Sequence, residues 1–342
     1  MPTGTMKAAV IEELGAPLVM EERPIPMPGP GEVLVRVEAC GLCRNDIHAA
    51  RGDWPMKPTL PLIPGHEAVG KVVGLGRDVH GLWLGDRVAV PWLGWACGRC
   101  EYCLSGSEAL CRRRRNTGYD IDGGFAEYLT GSERFVVKVP SGVDPLDAAC
   151  LSCAGLSAYK AVLSSGARPA DLTAVFGVGG LGHLAVQYAA IVGASVVGVD
   201  VSTRKLEMAA SLGARKVINA TAVDPVGALQ AMGGASQAIV AAASHDAAEQ
   251  ALASLRPGGT LVLLAMPPDN MLRLPIAETV HNGITVIGSI GGSRVDLARV
   301  FALHAQGHTR VVHQARVLSQ VNQAMAEVEA DKVPARLVFE FR

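Results

Sequence analysis

The 342-residue chain has almost no net charge: 31 Lys and Arg offset 32 Asp and Glu, leaving −1. That balance removes the global electrostatic case for a nucleic acid or an acidic membrane as partner. Arg112 to Arg115 is the only basic block. It is too narrow for a nucleic-acid footprint and reads as a solvated loop beside the cysteines that precede it. Long uninterrupted apolar runs are also missing. Mean hydropathy is +0.27, yet glycines and charges break every apolar stretch, so no membrane span is expected. Met1-Pro2-Thr3-Gly4 lacks a charged lead followed by an apolar core, so no signal peptide is expected and the protein should be cytoplasmic. Internal repeats and low-complexity tracts are absent. Cysteine disappears after Cys153, with all eight at or before it. Hydrophobic residues at 49% supply substantial cores, and the length suggests roughly two domains.

The chain is organised around Cys40 to His66. Thiolate and imidazole are the donors that zinc favours, and a catalytic zinc keeps three protein ligands and one open position. Cys43 and His66 are candidate ligands. Asp46 is placed to accept the other ring N–H of a ligating histidine and fix its tautomer. On this stretch alone, a lone Cys-x-x-Asp or a lone His is more often a packed core residue than a ligand. Leu60-Pro61-Leu62-Ile63-Pro64 enforces an extended, stiff approach to His66, because residues before proline avoid the helical region.

Cys97, Cys100, Cys103 and Cys111 are spaced three, three and eight positions along the chain. Four thiols that close can enclose a tetrahedral S₄ site, the closed, structural kind of zinc. A disulfide cluster is the alternative, disfavoured because cytosolic thiols stay reduced. Cys153 is a candidate third ligand for the open site. Cys40 and Cys150 are then left as small buried hydrophobes.

Cys43-x-x-Asp46-x-His48, Gly65-His66-Glu67, the four-cysteine lobe and Cys153-Ala154-Gly155 resemble the zinc-containing medium-chain alcohol dehydrogenases, most closely the yeast and bacterial tetrameric branch. The likeness runs over essentially the whole chain. It implies a GroES-like, mainly-β catalytic domain of residues 1–149 and 291–342 around a dinucleotide-binding Rossmann domain of residues 150–290, and a homotetramer. It also implies reversible hydride transfer between an alcohol and a nicotinamide cofactor, with two zinc ions per subunit. His48 matches the histidine that ends the family's proton relay. The relay's hydroxyl position is Asn45 here, and an amide, with donor and acceptor on different atoms, relays poorly. Glu67 is an electrostatic partner of the metal that sometimes approaches it in the family. Trp54 and Trp92 match positions lining the substrate cleft, favouring slender primary alcohols. Lys205 matches a ribose-contacting lysine, and Arg336 an arginine that pairs with the cofactor pyrophosphate.

Short β-branched runs bounded by Gly and Pro (7–11, 32–39, 68–73 and 86–90) read as strands of an all-β lobe. After Cys150 short apolar strands alternate with alanine-rich helices, the signature of a parallel α/β sheet. The expected strands are 172–176, 196–199, 216–219, 237–241, 259–264 and 284–290; the expected helices include 183–192, 245–255, 294–306 and 318–330. Gly177-Val178-Gly179-Gly180-Leu181-Gly182 joins the first of these strands to its helix. This is a dinucleotide fingerprint in its required context: one glycine turns the chain, one admits the pyrophosphate, one lets helix pack on strand. Asp200 follows Gly182 by 18 positions, at the end of the second strand. A carboxylate there accepts from ribose hydroxyls and repels a 2′-phosphate, favouring NAD over NADP, although the neighbouring Arg204 could accommodate NADP.

Other readings are an aromatic, allylic or formaldehyde-handling dehydrogenase with the same metal and cofactor, and a nucleotide-binding relative that has lost catalysis. Polyol dehydrogenases usually place a carboxylate among the catalytic ligands, where this chain has Cys153.

Overall fold

The computed structural model describes residues 1–267 and 271–341, which divide into two compact units. One comprises Met1–Cys153, Ser293–Ala305 and His313–Arg342; the other comprises Ala154–Gly292 and Gln306–Val312. The division falls after Cys153 rather than at 149, and residues 306–312 return to the second unit. Cys153 thus lies in the first unit, where its side chain meets His66.

In the first unit, Glu32–Leu42 is the central strand. Val33, Leu34, Val35 and Val37 are buried and only Arg36 is exposed, so this strand is covered on both faces over most of its length. It pairs antiparallel with Ala68–Leu75, Tyr128–Ser132 and Arg336–Glu340. Arg87–Val90, Val137–Lys138 and His313–Arg316 extend this sheet. The C-terminal pairing sets Phe339 edge-on against Phe125, centroids 5.0 Å apart. Removing a buried ring of that kind costs about 3–5 kcal/mol, so this contact does much to bind the returning segment to the N-terminal one. Strand Val19–Pro24 and helix Arg44–Arg51 were not expected from patterning. The helix is a short, largely polar octapeptide whose Asp46, Ile47, Ala49 and Ala50 are nevertheless buried.

The second unit holds a wholly parallel sheet. Among the described residues its order is Lys216–Asn219, Ser195–Asp200, Leu172–Phe176, Ala235–Val240, Leu255–Leu263, Thr285–Gly288. Leu172–Phe176 therefore sits at the point where the order reverses, the crevice in which doubly wound sheets take ligands. Its Phe176 and the neighbouring Val197, Val199, Ala238 and Val240 belong to one buried core.

The first passage of the chain from one unit to the other falls within one helical stretch, Pro145–Ser165. Asp144 caps it by accepting from the Leu146 N–H at 2.7 Å, proline opens it, and Gly166 ends it in left-handed conformation at φ 70°. Leu151–Gly155 is a π-helical turn within it. By length and composition this stretch could cross a membrane, which the interrupted apolar pattern was not expected to allow. It is a core helix instead: 61% of the most apolar window is buried. Asp147 ties it to the C-terminal segments, reaching His304 at 3.3 Å and His313 at 3.1 Å.

Candidate active site and metal centres

Helix Arg44–Arg51 begins at Cys43, and its first turn builds the site. Asp46 accepts from the Cys43 backbone N–H at 2.9 Å with one oxygen. With the other it accepts from the Gly65 N–H at 3.2 Å and His66 Nδ1 at 2.7 Å. A carboxylate only accepts, so His66 carries its proton on Nδ1 and presents Nε2, which lies 3.3 Å from Cys153 Sγ. His66 and Asp46 are essentially sealed from solvent, at 0% and 1% exposure. Ligand atoms of Cys43, His66, Glu67 and Cys153 all lie within 4.8 Å of one another. Two sulfurs, one imidazole nitrogen and a carboxylate oxygen in a small buried volume fit zinc by donor type.

Close packing shifts the protonation of these groups in opposite directions. A hydrogen bond from Cys153 holds the Cys43 thiol well below its ordinary value, with burial opposing and His66 assisting; Cys153 is raised by the same bond. Burial works against protonation of His66, but Asp46 and Cys43 together push it well above its usual range. Glu67 is raised to about 7 by burial, opposed by Arg336. The Arg336 Nη2 donates to Glu67 Oε1, while Glu67 Oε2 has no hydrogen-bond partner. A Cβ on Gly41 would sit 1.9 Å from that oxygen, so glycine there leaves room for the carboxylate.

Cys97, Cys100, Cys103 and Cys111 gather within the same 4.8 Å limit. Cys103 Sγ lies 3.5 Å from Cys100 and 3.9 Å from Cys97. The Arg99 N–H and the Arg113 guanidinium pull Cys97 down to about 5, while burial and Cys100 push Cys103 up to about 12. The basic run is thus partly bound to this lobe: Arg113 faces Cys97, Arg114 Nη1 lies 3.4 Å from the Cys111 carbonyl, and Arg115 lies 6.0 Å from the Trp95 ring centroid. All eight cysteines are free thiols.

In the glycine loop, Gly177 has φ 86° and Gly182 could not carry a Cβ, which would fall 1.8 Å from the Gly177 carbonyl. Gly179 faces open space, with only Lys205 Nζ at 3.9 Å from its notional Cβ. That gap is what close approach by a phosphate requires. Leu181 precedes helix Gly182–Ile191 and makes no side-chain hydrogen bond to its first turn. Asp200 accepts from Val178 N–H at 2.7 Å and Ser202 N–H at 2.9 Å, fixing the carboxylate beside the loop.

Residues 29–141 match the family model for the alcohol dehydrogenase GroES-like domain, and residues 180–306 that for zinc-binding dehydrogenase. An alcohol dehydrogenase of Geobacillus stearothermophilus is 46% identical over 338 residues, covering 98% of this chain and 99% of that protein. The chain belongs to the zinc-containing medium-chain alcohol dehydrogenase family. Among solved structures of similar fold, the alcohol dehydrogenase of Aeropyrum pernix gives a TM-score of 0.91 at 32% identity, covering 98% of this chain and 100% of that one. The acetophenone reductase of Geotrichum candidum, solved with NAD, gives 0.90 at 28% identity, covering 100% and 98% respectively.

The residues expected at the family's site fall as follows. Trp54 and Trp92 meet edge to face at 6.1 Å, and Trp92 also lies 4.9 Å from the His66 ring. His48 is 5.9 Å from Trp54 and partly exposed. Asn45 is half-buried in the first turn of the helix. Arg336, expected at a pyrophosphate, is 6% exposed and engaged with Glu67. Two residues went unnoticed in the sequence. Tyr119 joins the tryptophans, 5.1 Å from Trp54 and 5.9 Å from Trp92, with its hydroxyl on the Met56 carbonyl. Asp53 lies on His48. Asp53-Trp54 adjacency was the one available signal for the latter.

Proposed function

We propose that the protein is an NAD-dependent alcohol dehydrogenase acting on short primary and some secondary alcohols, with one catalytic and one structural zinc per chain. The convergence of Cys43, His66 and Cys153 beside an aromatic wall carries this reading. Zinc held by Cys43, His66 and Cys153 supplies a Lewis acid that favours the ionised form of an alcohol, and NAD bound at Gly177–Gly182 supplies the hydride acceptor.

The chain's own residues do the rest. Asp46 fixes the His66 tautomer, so that Nε2 is available as a ligand. Trp54, Trp92 and Tyr119 narrow the approach to His66 and exclude water from it. Asn45 orients the substrate oxygen through its amide, and a water carries the released proton on to His48. Asp200 supports NAD because a fixed carboxylate would repel a 2′-phosphate. We infer a homotetramer using Thr285–Gly288, an edge strand whose Val286 is exposed, as are Ile276 and Val280 in the preceding helix, since an uncovered apolar edge invites pairing.

A panel of ethanol, propanol, benzyl alcohol and sorbitol with NAD and NADP, run with and without a strong zinc chelator, tests the reading. Ethanol oxidation with NAD that the chelator abolishes is expected. Activity indifferent to the chelator, or less than two zinc per chain in the purified protein, would count against it; a marked preference for benzyl alcohol would favour the aromatic-alcohol reading. Trp54→Ala should extend activity to bulkier alcohols, read as the chain-length profile of kcat/KM. The change should be modest, since apolar pockets discriminate a methylene by roughly 1–3 kcal/mol.

A further inference from the structure

Helix Arg44–Arg51 carries a second Asp–His pair at its other end. Gly52 stops the helix in left-handed conformation, φ 68° and ψ 40°. The chain then folds back, and the Asp53 N–H donates to the His48 carbonyl at 3.1 Å. That reversal brings the Asp53 carboxylate onto His48, Oδ2 to Nδ1 at 2.7 Å. The surroundings of the turn are close-packed. Lys57 Nζ donates to the Gly52 carbonyl, Trp54 lies 5.9 Å from the His48 ring, and a Cβ on Gly52 would press 2.8 Å from Leu14.

We propose that Asp53 is a positioning residue that fixes His48 with its proton on Nδ1, leaving Nε2 as the atom that accepts and returns a proton. An ionised carboxylate has acceptors only, so a hydrogen bond of this length requires the ring nitrogen it faces to donate. The neutral imidazole then has its single acceptor on Nε2. The same logic operates at Asp46 and His66, where the buried pair prepares a metal ligand; here the pair is partly exposed, His48 at 30% and Asp53 at 42%. Water reaches His48, as a group passing protons to solvent needs. In turnover, Nε2 takes the proton delivered from the substrate side and later loses it to solvent, with no change in the Nδ1 bond. Arg51 on the same helix is turned away, paired to Glu329, so Asp53 is the charged partner facing the ring.

The role in turnover rests on the dehydrogenase reading; the tautomer does not, and the test separates them. Histidine-labelled, zinc-loaded full-length protein is examined by ¹⁵N NMR, with the His48 signals assigned by their loss in His48→Gln. At a pH where titration shows the ring to be neutral, the expected result is a proton on Nδ1 and none on Nε2, replaced in Asp53→Asn by a tautomer mixture and restored in Asp53→Glu. A protonated Nε2 in the parent protein, or a His48 signal unmoved by Asp53→Asn, overturns the proposal whether or not alcohol is oxidised. In kinetics, Asp53→Asn should lower kcat about tenfold, less than the roughly 10²–10⁴-fold attributable to a positioned acid or base. It should also move the pH–rate limb assigned by His48→Gln and leave KM for NAD little changed. A fall in kcat with an unmoved pH profile would mean a purely structural role and would equally overturn it.

Discussion

The two ligand clusters of the first unit differ in how they are built. Cys43, His66 and Cys153 come from a helix start, a stiff loop and a helical stretch whose cysteine lies 87 residues beyond the loop histidine, and Asp46 holds the histidine from behind. Cys97, Cys100, Cys103 and Cys111 come from one short excursion of chain, with arginine side chains around them and little core beneath. A cluster assembled from distant segments is as rigid as the domain that brings them together. A cluster closed by a local loop depends mainly on its own bonds, and in turn organises that loop. The difference separates a site suited to chemistry from one suited to holding structure.

Breaking one cluster at a time should expose that contrast most strongly. His66→Gln should lower kcat/KM by about 10³-fold or more, equivalent to roughly 4 kcal/mol, and remove one metal while the protein stays folded. Cys100→Ser should remove the other metal and lower Tm by several degrees, about 2–4 °C per kcal/mol in a unit of roughly 150–250 residues such as the first one, with activity per folded molecule largely kept. Metal analysis alongside calorimetry checks both; a matching loss of activity in the two variants would erase the distinction. A smaller effect is expected from Asp46→Asn. It leaves the ligands but lets the His66 ring turn, so zinc affinity at that site should fall about 10–100-fold, read from competition with a chelator.

The least disruptive comparison lies within the thiol lobe. After zinc removal Cys97, with its pKa lowered to about 5, is thiolate throughout pH 6.5 to 8.5, while Cys103, raised to about 12, stays protonated. Iodoacetamide should therefore label Cys97 first, at a nearly pH-independent rate, and Cys103 hardly at all. Because a lowered thiol pKa favours the thiolate above 5 and loses that preference only below it, labelling should slow as pH falls through about 5. Equal labelling of the two by peptide mass spectrometry would remove the asymmetry.

Much of this organisation is legible in the sequence because it is local. The strand Leu172–Phe176 and its glycine turn announce themselves through β-branched residues followed at once by three spaced glycines, and thiol spacing singles out the lobe. What local pattern cannot reveal is pairing across the chain. Arg336 and Glu67 are 269 positions apart, and nothing near either residue points to the other. Arg336–Glu340 and Val19–Pro24 are strands only because partners are present, and Arg44–Arg51 is too short and polar for a helical apolar stripe. Tyr119 escaped notice for the same reason, since its place against Trp54 comes from the fold alone. The π-helical turn at Leu151–Gly155 has no composition of its own.

That wide turn has a consequence for Cys153. A π-helical turn accommodates one more residue than the regular coil on either side, so the direction of the sulfur depends on how many residues precede it. Excising a single neighbour such as Ser152 would close the coil to ordinary pitch and swing the thiol by about 100° around the axis, away from His66. Conservative exchanges in this stretch keep the arithmetic intact, whereas a one-codon deletion does not. The ligand is specified here by counting as much as by chemistry.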